Sequence, residues 1–166
     1  FAERLVVPQE AAIKIDDDVP FDVASLIGCG VSTGVGAVIN TARVEPGSSV
    51  VVFGCGGVGV AAIQGARIAG AATIVAVDLL PEKQDQARAF GATHACGPDD
   101  LAALQAELTG DGFDYAFEAI GLPTTMRAAF DAVRRGGTAV VIGVGRQDQE
   151  VSFNGFELFF SEKTFM

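Results

Sequence analysis

Short apolar runs alternate with amphipathic stretches along most of the chain, and glycine or proline stands at many boundaries between them. The apolar runs predict strands at residues 50–53, 73–77, 94–96, 113–117 and 138–142. The stretches between them predict helices at residues 58–69, 81–90, 99–108 and 124–134. Strand and helix in repetition indicate a parallel sheet with right-handed crossovers. We therefore predict an α/β fold, a doubly wound parallel sheet, with a truncated sixth strand at residues 163–166.

The N-terminal third follows a different pattern. Residues 1–7 predict a strand closed by Pro8, and residues 21–44 predict a helix interrupted at Gly28-Cys29-Gly30. Gly91 and Gly136 predict helix C-termini. The chain begins with Phe and ends as if a strand were starting, so we expect an internal segment of a larger protein, which the intact mass of that protein tests.

Composition narrows the class of protein. Hydrophobic residues make up 49% of the chain, which suits strands buried on both faces of a parallel sheet. The longest run without a polar residue, 50–63, is short of a membrane span and rich in glycine. A net charge of −10 disfavours nucleic acid and anionic membranes as partners. Three cysteines in no paired pattern fit a reducing compartment, and we expect the cytoplasm.

The stretch Gly54-x-Gly56-x-x-Gly59 follows a predicted strand and opens a predicted helix. Gly54 permits the tight turn, Gly56 lets a pyrophosphate approach the backbone, and Gly59 allows the helix to pack against the strand. The helix N-terminus presents free N–H groups and a partial positive charge to phosphates. This context predicts a dinucleotide site.

Asp78 ends the second predicted strand, about 20 residues after the last glycine, where a carboxylate binds the adenosine ribose. It would repel a 2′-phosphate, so we predict NAD rather than NADP. Lys83 lies one turn later, and we expect it to reach the same ribose. A methyltransferase, which also uses a glycine-rich first loop and an acidic end of strand two, is a competing interpretation that Gly59 disfavours.

The chain resembles the medium-chain, zinc-dependent alcohol dehydrogenases, and within them the branch of alcohol and glutathione-dependent formaldehyde dehydrogenases. The segments that carry the resemblance are Leu26-Ile27-Gly28-Cys29-Gly30-Val31-Ser32-Thr33-Gly34, Val52-Phe53-Gly54-Cys55-Gly56-Gly57-Val58-Gly59, Val77-Asp78 with Lys83, Phe117-Glu118-Ala119-Ile120-Gly121, and Val141-Ile142-Gly143-Val144. They span nearly the whole chain in one register, and the first is the most specific.

The resemblance implies a role for each matched position. Cys29 matches the third catalytic zinc ligand of the family, and Thr33 matches a residue that lies against the nicotinamide. The remaining matches are Gly54, Gly56, Gly57, Val58 and Gly59 at the pyrophosphate turn, with Val58 under the nicotinamide side, Asp78 and Lys83 at the adenosine ribose, and Ile142, Gly143 and Val144 at the carboxamide.

The activity implied is hydride transfer between an alcohol or aldehyde substrate and NAD, assisted by zinc. The other two zinc ligands of the family lie upstream of Phe1, so we expect this segment alone to hold no catalytic zinc, to contain no catalytic residue and to be inactive. Residues 1–30 would be a remnant of the catalytic domain with its connecting helix, and residues 31–166 the Rossmann cofactor domain. A zinc-free quinone reductase and a non-catalytic dinucleotide-binding module remain alternatives.

The other candidate residues have simpler interpretations. We interpret Cys55 as a packed side chain rather than a redox group, because no basic residue flanks it. His94 and Cys96 share a strand face without further ligands nearby in sequence. Glu118 is predicted to be held by backbone donors, with no catalytic role. The phenylalanines at 153, 156, 159 and 160 suggest a homo-oligomer if their rings are exposed.

Overall fold

The computed structural model describes residues 3–166 and has a six-stranded sheet at its centre. The strands are β1 (Ser49–Phe53), β2 (Thr73–Val77), β3 (His94–Cys96), β4 (Phe113–Glu118), β5 (Val133–Val141) and β6 (Thr164–Phe165). Their order is β3-β2-β1-β4-β5-β6, and every pair is parallel. The helices are α1 (Phe21–Ala42), α2 (Gly57–Ile68), α3 (Pro81–Ala89), α4 (Leu101–Leu108), α5 (Pro123–Ala132) and α6 (Gly155–Phe160). The predicted doubly wound α/β fold is confirmed.

Successive side chains of the central strands enter different layers of the core. Val50 and Val52 of β1 pack with residues of α1, α2 and α3, whereas Val51 and Phe53 pack on the opposite face with residues of α4 and α5. A parallel strand covered on both faces in this way shows an unbroken apolar run, because no face alternates toward water. The strand order reverses between β1 and β4, and there the carboxyl ends form a crevice.

The predicted interruption of the first helix at Gly28-Cys29-Gly30 is wrong. The helix runs from Phe21 to Ala42 without a break, and its hydrogen bonding becomes π-type at Ile27–Val31 and again at Ala37–Ala42. Gly28, Cys29 and Gly30 thus lie in a wider π-type turn, and the helix continues through them. Arg43 then ends it in the left-handed conformation, with φ of 53°.

Three local predictions are also wrong. Residues 3–7 form no strand, while Phe1 and Ala2 lie outside the described residues. β5 begins at Val133 rather than residue 138: Val133 pairs with Phe113, residues 134–137 bulge out, and Thr138 pairs with Tyr115. Gly136 therefore lies inside a bulge and not at a helix C-terminus.

By length and composition alone, α1 is apolar enough to cross a membrane, and it is the one such helix among residues 3–166. Core helices of ordinary globular domains pass the same test. The middle of α1 packs directly on α2, where a Cβ added at Gly34 would lie 2.6 Å from the Cβ of Ala61. The helix therefore forms part of one layer of the domain.

Candidate functional site

The turn between β1 and α2 is closed on the side of the sheet and open on the other. Gly54 has a φ of +89°, and its N–H donates a 2.8 Å hydrogen bond to the carbonyl of Val77. Gly59 is buried, and a Cβ there would collide with the carbonyl oxygen of Gly54. Gly56 and Gly57 are exposed, and a Cβ on either would meet nothing within 4 Å. The first N–H groups of α2 thus stand beside bare backbone, an arrangement that suits an anion.

Asp78 follows β2 directly, and its half-buried carboxylate is tied to this turn. Oδ2 accepts a 2.8 Å hydrogen bond from the backbone N–H of Cys55, and Oδ1 accepts one of 3.0 Å from the N–H of Leu80. A carboxylate oxygen has room for a second donor. Asp78 therefore anchors the turn and keeps acceptor capacity for a ligand hydroxyl.

The Cys55 side chain lies under the turn. Burial, and next the nearby carboxylate of Asp78, raise the pKa of the Cys55 thiol to about 12. A thiol with that pKa stays protonated and unreactive near neutral pH. Cys55 is therefore a packed side chain, in agreement with the sequence interpretation.

Two clefts of about 430 Å³ each contain several of the predicted site residues. The first cleft brings together Gly56, Gly57 and Lys83, and its other wall comes from the N-terminal half of α1. The Lys83 ammonium donates to the side chain of Gln86 at 3.3 Å. The second cleft lies between α1 and the end of β5, and it brings Thr33 and Ile142 together.

The remaining predicted residues surround these clefts. Val58 is half-buried in the first turn of α2, and its carbonyl faces the backbone of Gly34 on α1. Gly143 and Val144 follow β5, where Val144 has an almost fully exposed side chain. The predicted residues thus lie in or beside two clefts rather than in a single pocket.

Cys29 is exposed on α1, four positions before Thr33. Residues 3–166 contain no group of three or more His, Cys, Asp or Glu side chains placed to hold a metal ion. A catalytic zinc takes three protein ligands and keeps one open position. The described part of the chain therefore does not fit a complete zinc site.

Ile120 is a contact residue that sequence reasoning did not assign to the site. It follows β4 and covers the start of the turn, since a Cβ on Gly54 would lie 2.5 Å from its Cγ1 atom. The side-chain amide of Gln84 is a second such case, donating 2.9 Å to the carbonyl of Asp78. The contact of Ile120 with the turn follows from the pairing of β4 with β1, which the sequence pattern alone does not give.

Comparison with known proteins agrees with this architecture. Residues 57–166 match the family model described as zinc-binding dehydrogenase. The chain is 44% identical over 163 residues to an alcohol dehydrogenase class-3 of Myxine glutinosa, covering 95% of this chain and 43% of that protein.

Solved structures give the same result. An alcohol dehydrogenase zinc-binding domain protein from Burkholderia ambifaria is 40% identical, with a TM-score of 0.86 over 92% of this chain and 42% of that one. A zinc-binding dehydrogenase from Sinorhizobium meliloti, solved with bound NADP, is 26% identical with a TM-score of 0.74 over 82% of this chain and 42% of that one.

A doubly wound parallel sheet with a glycine-rich turn at its switch point places the chain in the class of Rossmann-like α/β proteins. The chain belongs to the zinc-binding dehydrogenase family, as the sequence predicted, and its relatives include alcohol dehydrogenases. It spans less than half the length of the relatives that it matches.

Proposed function

We propose that this chain is the cofactor-binding part of an NAD-dependent, zinc-assisted alcohol dehydrogenase that interconverts an alcohol and an aldehyde. The observation that carries the proposal is the open backbone of Gly56 and Gly57 beside a carboxylate, Asp78, that is itself anchored to the turn. The diphosphate would rest on the start of α2 and the adenosine ribose against Asp78. When bound, the nicotinamide supplies the hydride chemistry.

The direction of the bound cofactor follows from the strand order. Asp78 directly follows β2, whereas Ile142 directly follows β5, on the other side of the switch point. A dinucleotide that crosses the crevice with its ribose at Asp78 would direct its nicotinamide toward Ile142 and Thr33, which share a cleft. The chain's share in catalysis would be to orient this ring.

Asp78 also supports a preference for NAD over NADP. A 2′-phosphate would approach a carboxylate that is held in place by the N–H groups of Cys55 and Leu80 and cannot easily turn away. The relative from Sinorhizobium meliloti, which is 26% identical to this chain, was solved with bound NADP.

Cys29 would donate one thiolate to the catalytic zinc, and the remaining ligands would come from the rest of the dehydrogenase. We expect residues 3–166 alone to oxidise no alcohol. Metal analysis of the longer protein separates this proposal from the zinc-free quinone reductase, because a Cys29→Ser variant should lose the catalytic zinc only in the former.

Exposure supports a domain boundary near residue 30. None of residues 3–30 is buried, and their exposed side chains include Leu5, Ile13, Phe21 and Leu26. Buried positions begin at Gly34 and continue through the sheet. Residues 1–30 would therefore pack on the catalytic domain, and residues 31–166 would form the cofactor domain.

The phenylalanines near the C-terminus support a homo-oligomer. Phe156, Phe159 and Phe160 are 69%, 80% and 55% exposed on α6, whereas Phe153 packs edge-on against Phe130 at 4.9 Å. Among residues 3–166 the adjacent β6 is the outermost strand on its side of the sheet, and such strands offer free backbone groups for pairing. A second copy would cover both features, and light scattering would detect the resulting dimer.

The unpaired cysteines support a cytoplasmic location, which imaging of the tagged protein would test.

Calorimetric titration with NADH, NADPH and S-adenosylmethionine tests the cofactor proposal. We expect saturable binding of NADH, weaker binding of NADPH and none of S-adenosylmethionine. Asp78→Gly should narrow the gap between NADH and NADPH, because it removes the carboxylate. Preferential binding of S-adenosylmethionine would favour a methyltransferase and overturn the proposal.

A further inference from the structure

Glu118 is the one buried charged residue among residues 3–166. It ends β4 and is fully buried. Its Oε1 accepts three hydrogen bonds, from the N–H of Ile120 at 2.9 Å, the N–H of Gly121 at 2.8 Å and the hydroxyl of Thr125 at 2.7 Å. Its Oε2 is buried without a partner. Burying a carboxylate is costly unless donors compensate it, so three donors on one oxygen mark an organised site.

The same residue also holds the loop that follows β5. The backbone carbonyl of Glu118 accepts hydrogen bonds from the N–H groups of Ile142 at 2.8 Å and Gly143 at 3.0 Å. A Cβ on Gly143 would lie 2.7 Å from Oε2 and would collide with the backbone nitrogen of Gly121. A single residue thus joins the loop after β4 to the loop after β5.

The two loops touch through their backbones. Gly121 has a φ of +93°, and a Cβ on it would lie 2.5 Å from the carbonyl oxygen of Val144. The carboxylate holds Gly121 in this position through its N–H. The position of Val144 therefore depends on the side chain of Glu118 as well as on the backbone of Glu118.

We infer that Glu118 is a positioning residue that sets the nicotinamide side of the cofactor site, acting through Gly121 on residues 142–144. This inference rests on the proposed dinucleotide function. The pyrophosphate turn has its own anchors, the bonds from Gly54 to Val77 and from Cys55 to Asp78. Loss of the Glu118 charge therefore affects the nicotinamide half of the cofactor more than the ADP-ribose half.

The test compares NADH with ADP-ribose, which lacks the nicotinamide, in a Glu118→Gln variant. Gln keeps nearly the same shape, but its neutral amide oxygen accepts the three hydrogen bonds more weakly than a carboxylate does, so Gly121 is held less firmly. We expect NADH affinity to fall about fivefold or more and ADP-ribose affinity to stay within about twofold. Equal losses for both ligands would indicate a merely structural role and overturn the inference, as would no change for either.

Thr125→Val is the matched control, because it removes one donor from Oε1 and leaves the carboxylate and both backbone N–H groups in place. It should leave the ratio of NADH to ADP-ribose affinity unchanged, and a shift equal to that of Glu118→Gln would overturn the inference.

Hydrogen–deuterium exchange separates this inference from the proposed function, because it needs no ligand. Glu118→Gln should accelerate exchange both in residues 119–125 and in residues 142–145. Acceleration confined to residues 119–125 overturns the coupling between the loops. Failure of the wild-type chain to bind NADH would instead overturn the cofactor proposal, and the ligand part of the inference with it.

Discussion

The backbone N–H of Cys55 donates a 2.8 Å hydrogen bond to Oδ2 of Asp78, a residue 23 positions further along the chain. This bond joins the connection after β1 to the end of β2. It means that the glycine turn and its acidic partner form one structure before any ligand arrives. A pre-organised site avoids the cost of ordering loops on binding.

Asp78→Asn should weaken the connection between the glycine turn and the end of β2. An amide has one acceptor oxygen, so it cannot serve both Cys55 and Leu80, and we expect a loss of about 1 kcal/mol in the free energy of unfolding. NADH affinity should fall about tenfold. Urea unfolding and calorimetry measure the two effects. Asp85→Asn is the control, since Asp85 bonds only the exposed Arg88. If both variants behave like wild type, Asp78 does not anchor the turn.

Gly59→Ala should destabilise the fold by about 2 kcal/mol or more, because the new methyl group would overlap the carbonyl of Gly54. Gly57→Ala has open space, so its stability should stay within about 0.5 kcal/mol of wild type. Gly57→Ala should still lower NADH affinity, since the methyl group would occupy the diphosphate position. Equal stability of the two variants in urea would show that the helix does not approach the strand this closely.

Thiol labelling should distinguish the three cysteines. Cys29 is exposed, whereas burial raises the pKa of both the Cys55 and the Cys96 thiols. Iodoacetamide at pH 8 should therefore modify Cys29 first, as mass spectrometry of peptides would show. Urea should make all three equally reactive. Rapid labelling of Cys55 in the native protein would contradict its packed position.

Asp114 should make the fold sensitive to acid. Partial burial raises its pKa, but hydrogen bonds from Ser49 and Arg134 outweigh that effect and hold the pKa of Asp114 below its ordinary value. A lowered folded-state pKa contributes stability above the unfolded-state pKa, and the contribution disappears as pH falls from about 4. Asp114→Asn should thus be less stable than wild type at pH 7, and the difference should shrink below about pH 4. A difference that is constant with pH would refute this.

Local signals were sufficient for the sheet and the first turn. The strand 73–77 lies where its apolar run predicted, because a strand covered on both faces needs apolar residues at every position. The turn at Gly54 was predictable because its backbone requirements concern only the residues within it. Family membership also followed from motifs that are contiguous in sequence.

The tertiary structure decided what depends on contacts between distant residues. Gly34 in the middle of α1 packs closely on α2, and the helix continues through the glycines that predicted a break. The bulge in β5 reflects its pairing with β4, which no local pattern reveals.

The sequence by itself determined the succession of strands and helices along the chain and the glycine turn, because each rests on neighbouring residues. It also indicated Asp78, through the spacing of this residue from the last glycine of the turn. Only the tertiary structure revealed that Asp78 holds the turn, that Ile120 covers Gly54 and that Glu118 joins two loops. Those relationships arise where the carboxyl ends of separate strands meet, and the distance between residues there bears no relation to their separation along the chain.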